Sequence, residues 1–132
     1  YRAVAQESGH DSDKLKFSVH AHGFVLNNSK ETADTFFPYI QYYRNHLLGE
    51  RGFPPYTRGD FDYARSAGQG LFVGGPEEVA DKIMLLIKHL NIERFIIQMP
   101  LATMPHDIVK EAISVYATKV IPLVREKIEA EY

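Results

Sequence analysis

Short apolar strands alternate with amphipathic helices along this chain, and the alternation constrains its fold more than any other feature. The runs rich in β-branched and aromatic residues predict strands at 16–25, 71–73 and 94–99. Apolar residues at helical spacing predict helices at 32–48, 76–90 and 105–129. This order favours parallel strands joined by right-handed crossovers. Because strand 71–73 is apolar throughout, it needs cover on both faces, as in a barrel or a doubly wound sheet.

The remaining segments are punctuated by glycine and proline. Residues 1–8 read as the end of a helix, so we expect the chain to be a fragment of something longer. Residues 49–70 hold five glycines and two prolines and predict a long excursion with one helical turn at 60–64. Excursions of this length are usually functional or mobile. Pro122 is expected to bend the last helix.

Composition excludes several classes of function. The 132 residues carry 15 Lys and Arg against 17 Asp and Glu, with no dense basic face, so we expect no nucleic-acid partner. The absence of cysteine excludes a disulfide scaffold, a thiolate metal site and a cysteine nucleophile. No apolar run approaches the roughly 18 residues of a membrane span. We therefore expect one soluble, cytoplasmic α/β domain or a piece of one.

Two histidines are the first candidate site residues. In strand 16–25, Ser18, His20 and His22 alternate with apolar residues, so they share one face, which we expect to point into a barrel. One interpretation is a metal site, although no third or fourth ligand ends a strand. The others are that the imidazoles line a substrate or cofactor site, or that they are hydrogen-bonded structural residues. The residue pattern favours imidazoles that line a substrate or cofactor site over imidazoles that bind a metal.

A glycine pair is the second candidate. Gly74 and Gly75 lie between a strand and a helix that begins at Pro76, where free backbone N–H groups and the helix dipole can hold an anion. The motif lacks the spacing of a dinucleotide fingerprint or a P-loop, and Glu77 and Glu78 compete with a bound anion. A plain turn and helix cap is the alternative.

Gln98, at the end of strand 94–99, is the third candidate, because its amide could contact a ring or a carbonyl group. Its alternative is a surface turn residue. The aromatic residues of helix 32–48 are interpreted as packing. The long excursion carries three charged residues that we interpret as solvated: Arg58, Asp60 and Arg65. The alternative is that they contact the substrate. No nucleophile elbow, zinc-protease motif or carboxylate pair is present, so these residues assign no catalytic group.

Several separated blocks resemble the bacterial-luciferase-like flavin monooxygenases. Residues 71–83, LFVGGPEEVADKI, are similar to the late strand–helix signature of that family, and 92–100, IERFIIQMP, to its final barrel strand. MPHD at 104–107 and YATKVIP at 116–122 are similar to the segments that follow. VHAHGFV at 19–25 resembles the sixth strand of one branch. The resemblance covers nearly the whole chain.

The resemblance implies a fold and an activity. Residues 1–132 would be a single domain fragment, the last three strand–helix units of a (β/α)8 TIM barrel of about 250 residues. Members use FMN or, in some branches, a deazaflavin coenzyme, and transfer oxygen or hydride to a small organic substrate. Gly74 and Gly75 would bind the cofactor, and His20, His22 and Gln98 would line the site. The best-known catalytic histidine lies on strands absent here, so no catalytic residue is assigned and the fragment alone is expected to be inactive.

Two other functions remain open at this point. One is a metal-dependent TIM-barrel hydrolase that uses His20 and His22, and the other is a non-catalytic assembly fragment. Three parallel strands also leave two unpaired edges. We therefore expect a homo-oligomer with substantial apolar contact.

Overall fold

Three parallel strands form the sheet, in the spatial order β2–β1–β3. They are β1 (Ser18–Val25), β2 (Phe72–Gly74) and β3 (Arg94–Gln98), in a computed structural model that describes all 132 residues. The carboxyl half of β1 pairs with β2, Gly23 opposite Phe72, and its amino half pairs with β3, His22 opposite Gln98. The predicted parallel pairing and the alternation of strands with helices are confirmed.

The helices follow the predicted pattern, with differences at their ends. They are α1 (Arg2–Glu7), α2 (Ser29–Gly49), α3 (Arg58–Ala64), α4 (Pro76–Leu90), α5 (His106–Val115) and α6 (Ile121–Glu131). Helix α2 begins three residues before the predicted start, because the Asn28 side chain accepts a hydrogen bond from the backbone N–H of Glu31. Helix α3 is a capped helix of seven residues rather than one turn, since Thr57 and Asp60 form a capping box.

The last helical stretch is interrupted rather than simply bent. A π-helical segment, Tyr116–Val120, joins α5 to α6 directly before Pro122. Proline has no N–H to donate to the carbonyl of Thr118, and its ring would clash with that group. The wider turn accommodates the proline while the chain stays helical on both sides.

Opposite crossovers place helices on both faces of the sheet. The chain moves from β1 to β2 in one direction and then passes back over β1 to β3, so right-handed connections put α2 and α4 on opposite sides. We call the side that carries His20, His22 and Phe24 the α2 face, and the side that carries Val19, Ala21 and Val25 the α4 face.

Each face has its own hydrophobic cluster. On the α2 face, Phe24 stacks on Phe36 of α2, with ring centroids 5.4 Å apart, and Phe36 stacks on Phe61 of α3 at 6.3 Å. All three side chains are fully buried. On the α4 face the buried residues are mostly aliphatic: Val25, Phe72, Val79, Ala80, Ile83, Val115 and Val120. None of the helices combines the length and the apolar character needed to cross a membrane.

Candidate functional site

The polar residues of β1 lie on the α2 face, together with those of β3. His20 is opposite Ile96 and His22 is opposite Gln98, and residues in register on parallel strands share a face. His20 and Gln98 are exposed, whereas His22 is half-buried. The structure therefore brings His22 and Gln98 side by side, and the half of this face nearest the amino end of β1 is open.

The polar face was expected to point into a barrel, but in the structure a helix covers the part of it that carries His22. Helix α2 lies over it, and the imidazole of His22 is 6.1 Å from the ring of Tyr43, centroid to centroid. The physical reason is the strand order, because a connection from β1 to β2 on this side lays α2 across the face. Sequence alternation identifies which residues share a face but not which connection covers it.

His22 is electrostatically unusual. Its Nδ1 atom is buried and has no hydrogen-bond partner. Burial lowers the pKa of His22, and the nearby positive charges of His20 and Arg44 lower it further. The imidazole is therefore kept neutral near pH 7 and carries an unused polar atom.

A small cavity adjoins His22. Its volume is about 260 Å³, and its walls come from β1, α2, the turn before α3, α3 itself and the residues leading into β2. The polar lining residues are His22, Arg44, Tyr56, Tyr63 and Gln69. The apolar walls include Ile40 and Leu71. A cavity with several converging polar groups is the usual form of a small-molecule site.

The glycine pair lies at the carboxyl end of the sheet. Gly74 is opposite Val25, and Gly75 is the N-cap of α4; both are buried. No side chain caps the first-turn amides of α4. From His22 to Val25 is three residues, so the pair lies about 10 Å along β1 from His22.

The two glycines differ in the space beside them. A Cβ atom on Gly74 would clash with the carboxylate of Glu78, so that carboxylate covers one approach to the turn. A Cβ atom on Gly75 would have the backbone N of Ser29 at 3.7 Å and the carbonyl O of Asn27 at 3.8 Å, both ordinary contacts. A single added atom therefore fits beside Gly75, and beside Gly74 only when Glu78 moves.

Two lysines near these turns were missed by sequence reasoning. Lys119, in the π-helical segment, donates to the side chain of Asn27. Lys82 of α4 is buried and donates to the carbonyl oxygens of Leu71 and Arg65. Burial lowers the pKa of Lys82 to about 8. Its signal in the sequence is a lysine three residues after Val79 on an apolar stripe, whereas nothing local indicates Lys119.

The charges of the long excursion have structural partners. Arg58 pairs with Asp34 at 2.9 Å and with Asp62 at 3.1 Å, and Arg65 pairs with Asp62 at 3.0 Å. Asp60 caps α3. These contacts tie α3 to α2. They favour the interpretation of these residues as structural surface charges over the substrate-contact alternative.

Two further sites are disfavoured by geometry. No group of three or more histidine or acidic side chains converges, so His20 and His22 would need metal ligands from elsewhere. A cavity of about 580 Å³ lies between α4, the start of β3 and α6, with Ile83, Phe95 and Val124 among its walls. It is at the amino end of β3, whereas barrel active sites lie at the carboxyl ends of the strands.

Comparisons with known proteins bear on the fold. No family model matches this chain, and no curated protein matches its sequence. Among solved structures, the monooxygenase RslO1 from Streptomyces bottropensis is similar over 92% of this chain, with a TM-score of 0.71 and 19% identity. The oxygenating constituent of 3,6-diketocamphane monooxygenase from the CAM plasmid of Pseudomonas putida, in complex with FMN, is similar over 92%, with a TM-score of 0.63 and 21% identity. The riboflavin lyase RcaE, with modified FMN and riboflavin, is similar over 96%, with a TM-score of 0.58 and 19% identity.

These likenesses show the fold. The chain spans about a third of the length of these structures, 35%, 37% and 34% respectively, and is a part of a TIM-barrel-like architecture. The predicted barrel fragment is confirmed, and the structural neighbours belong to the group that the sequence resembles. In a closed barrel each strand lies between its neighbours in sequence, so β2 would lie between β1 and β3. Here the order differs, because β3 pairs with the second edge of β1. This pairing makes hydrogen bonds that an open edge of β1 would leave unmade.

Proposed function

We propose that this chain is the C-terminal part of a flavin-dependent oxidoreductase that oxygenates a small organic substrate. The observation that carries the proposal is the likeness to an FMN-bound monooxygenase over 92% of the chain, together with the sequence blocks at 71–83 and 92–100. At 21% identity that likeness supports a fold, and the activity is our inference from it.

The cofactor proposed is FMN, with a deazaflavin coenzyme as the alternative. Reduced flavin supplies two electrons to O2, one oxygen atom of which enters the substrate while the other leaves as water. Gly75 and the first turn of α4 are our candidates for holding a phosphate group, since no side chain caps that turn and the helix dipole favours an anion. The ammonium of Lys119, held at Asn27 beside that turn, supplies a counter-charge.

The substrate residues proposed are those of the α2 face. His20 and Gln98 are exposed to the open half of the face, and His22 is neutral and half-buried beneath α2. Neutral imidazole and carboxamide groups orient a small polar molecule without adding charge. We assign none of them a catalytic role, because the remaining strands of a barrel would contribute the rest of the site.

Other parts of the proposal rest on sequence and stay predictions. These are that residues 1–132 form one structural unit equivalent to the last three strand–helix units, that the protein is cytoplasmic, and that it forms a homo-oligomer. The two open sheet edges, the outer sides of β2 and β3, are what supports the last of these.

The experiment is a titration of FMN, followed by its fluorescence, with the complete gene product that contains these residues. We expect quenching with FMN or with the deazaflavin, and the absence of quenching with both would remove the flavin assignment. Gly75→Asp is expected to weaken FMN binding at least tenfold. Aspartate is a good N-cap, so α4 should still form while the added carboxylate occupies the anion position.

Gly75→Ser is the matched control, because serine also caps the helix but carries no charge. Glu78→Gln tests the same turn in the opposite sense, since it removes the carboxylate that covers Gly74 and should strengthen FMN binding. Equal affinities for the Asp and Ser variants would show that the phosphate lies elsewhere. The flavin assignment would then survive without Gly74 and Gly75.

A further inference from the structure

The cavity beside His22 contains more polar groups than the fold uses. The Nδ1 atom of His22 is buried without a partner. Arg44 makes no ion pair, and its guanidinium lies over the ring of Tyr56, 4.7 Å from the centroid. Every other polar lining group is a neutral amide or phenol, from Gln69, Tyr56 and Tyr63. A buried polar atom without a partner destabilises the folded state, so a fold that keeps one without a use is uncommon.

The charge of the cavity has one sign. Arg44 is the charged residue among its lining, and no carboxylate lines it. On its other side Arg44 lines an adjoining cavity together with Asp60. The carboxylate of Asp60 is already engaged, since it accepts hydrogen bonds from the backbone N–H and the hydroxyl of Thr57. The guanidinium is therefore free to pair with an anion, and its planar fork matches a carboxylate.

The other walls limit what the anion can be. Ile40, Leu71 and the ring of Tyr56 are apolar surfaces, so they favour a ring or a short hydrocarbon over a fully polar ion. A volume of about 260 Å³ is below the roughly 300–1,000 Å³ of pockets for drug-sized ligands. The ligand is therefore no larger than a single substituted ring.

His22 defines the second polar group of the ligand. Neutral imidazole has one nitrogen that donates and one that accepts. In one tautomer Nδ1 is the donor, and in the other it is the acceptor. A hydroxyl group both donates and accepts, so it satisfies Nδ1 in either case once the ring turns this atom, buried in the structure, towards the cavity. A carboxylate at Arg44 and a hydroxyl at His22 together use the groups that the protein leaves unpaired.

We propose that the cavity between β1, α2 and α3 binds a small aromatic carboxylate that carries a hydroxyl group, with Arg44 holding the carboxylate and His22 the hydroxyl. The inference goes beyond the proposed function and does not rest on it, although both involve His22. Binding is measured without flavin, so either proposal can fail while the other stands.

The probe is 4-hydroxybenzoate, compared with benzoate and with phenol, titrated calorimetrically into the complete gene product. We expect 4-hydroxybenzoate to bind at least tenfold more tightly than either single-group compound. Arg44→Gln should weaken its binding at least tenfold and leave phenol unaffected. Arg51→Gln is the matched control, since Arg51 is likewise an exposed arginine without an ion pair and lines none of the described cavities near His22.

An imidazole spectrum gives a second readout that misfolding would not imitate. In a long-range ¹H–¹⁵N correlation experiment, the Nδ1 signal of His22 should move on addition of 4-hydroxybenzoate, while that of His20, two residues away on the same strand, should not. Equal affinity for benzoate and 4-hydroxybenzoate, an unchanged His22 signal, or loss of binding in Arg51→Gln as large as in Arg44→Gln would each overturn the proposal.

Discussion

The two faces of the sheet are built from different chemistry. The α2 face combines stacked phenylalanines with a neutral imidazole, a free guanidinium and two phenols around a cavity. The α4 face is lined by aliphatic side chains, and the cavity beside it is mainly apolar. A chain that needed only stability would bury apolar groups on both faces, because unpaired polar groups are costly. The difference supports our proposal that the α2 face carries the site.

The largest expected effect separates the two faces by their cores. Phe36→Ala should lower the free energy of unfolding by about 4 kcal/mol, since it empties a fully buried site between Phe24 and Phe61. Ile83→Ala, on the α4 face, should cost about 3 kcal/mol. Urea unfolding measures both. Only the first should also weaken 4-hydroxybenzoate binding, and an equal loss of binding in both variants would mean that the faces are not functionally distinct.

The second effect concerns the strand that both faces share. A Cβ atom on Gly23 would be 2.5 Å from Cδ1 of Ile97 and 2.6 Å from the carbonyl oxygen of Phe72. The backbone atom cannot move aside cheaply, so Gly23→Ala should cost about 3 kcal/mol, at the upper end of what overpacking costs. Gly70→Ala is the control, because nothing lies within 4 Å of its Cβ position. A stable Gly23→Ala variant would contradict the close approach of β2 and β3 to β1.

The sequence predicted which residues share a face of the sheet, because that depends on the local alternation within each strand. The alternation in 16–25 placed His20 and His22 on one face, and the strand signal at 94–99 brought Gln98 to the same sheet. The cover over His22 and the cavity at Arg44 depend on strand order, which joins residues far apart in the chain. No periodicity within α2 reveals that Arg44 approaches β1. The sequence places Glu77 and Glu78 near the glycine pair but does not show that Glu78 covers Gly74.

The third effect tests the lysine that links α4 to the excursion before β2. Burial lowers the pKa of Lys82 to about 8, below its usual 10.5, so between these values the unfolded chain binds more protons than the folded one. The contribution of Lys82 to stability therefore rises with pH from about 8 to about 10.5, by about 3 kcal/mol. The free energy of unfolding of the wild type minus that of Lys82→Met should show this rise.

Other groups titrate in the same range, so the control is a second lysine of α4. Lys88 is exposed near the end of the helix, so the same measurement on Lys88→Met controls for the loss of a lysine from α4. The same slope in wild type and Lys82→Met would mean that the ammonium of Lys82 remains solvated in the folded protein. The link between α4 and the carbonyls of Leu71 and Arg65 would then be weaker than its geometry indicates.

The smallest effect lies at His22 itself. Burial, then the charge of His20, then that of Arg44 hold its pKa below 6.5, so a folded His22 releases its proton at lower pH than an unfolded one. The contribution of His22 to stability consequently rises with pH through the folded pKa and is complete above 6.5. NMR titration of the imidazole should give a pKa below 6.5, and Arg44→Gln should raise it by a part of the shift, because burial is the larger cause and remains. An unchanged pKa in Arg44→Gln would place the guanidinium too far away to share a ligand with His22, and the α2 face would lose the pairing that distinguishes it from the α4 face.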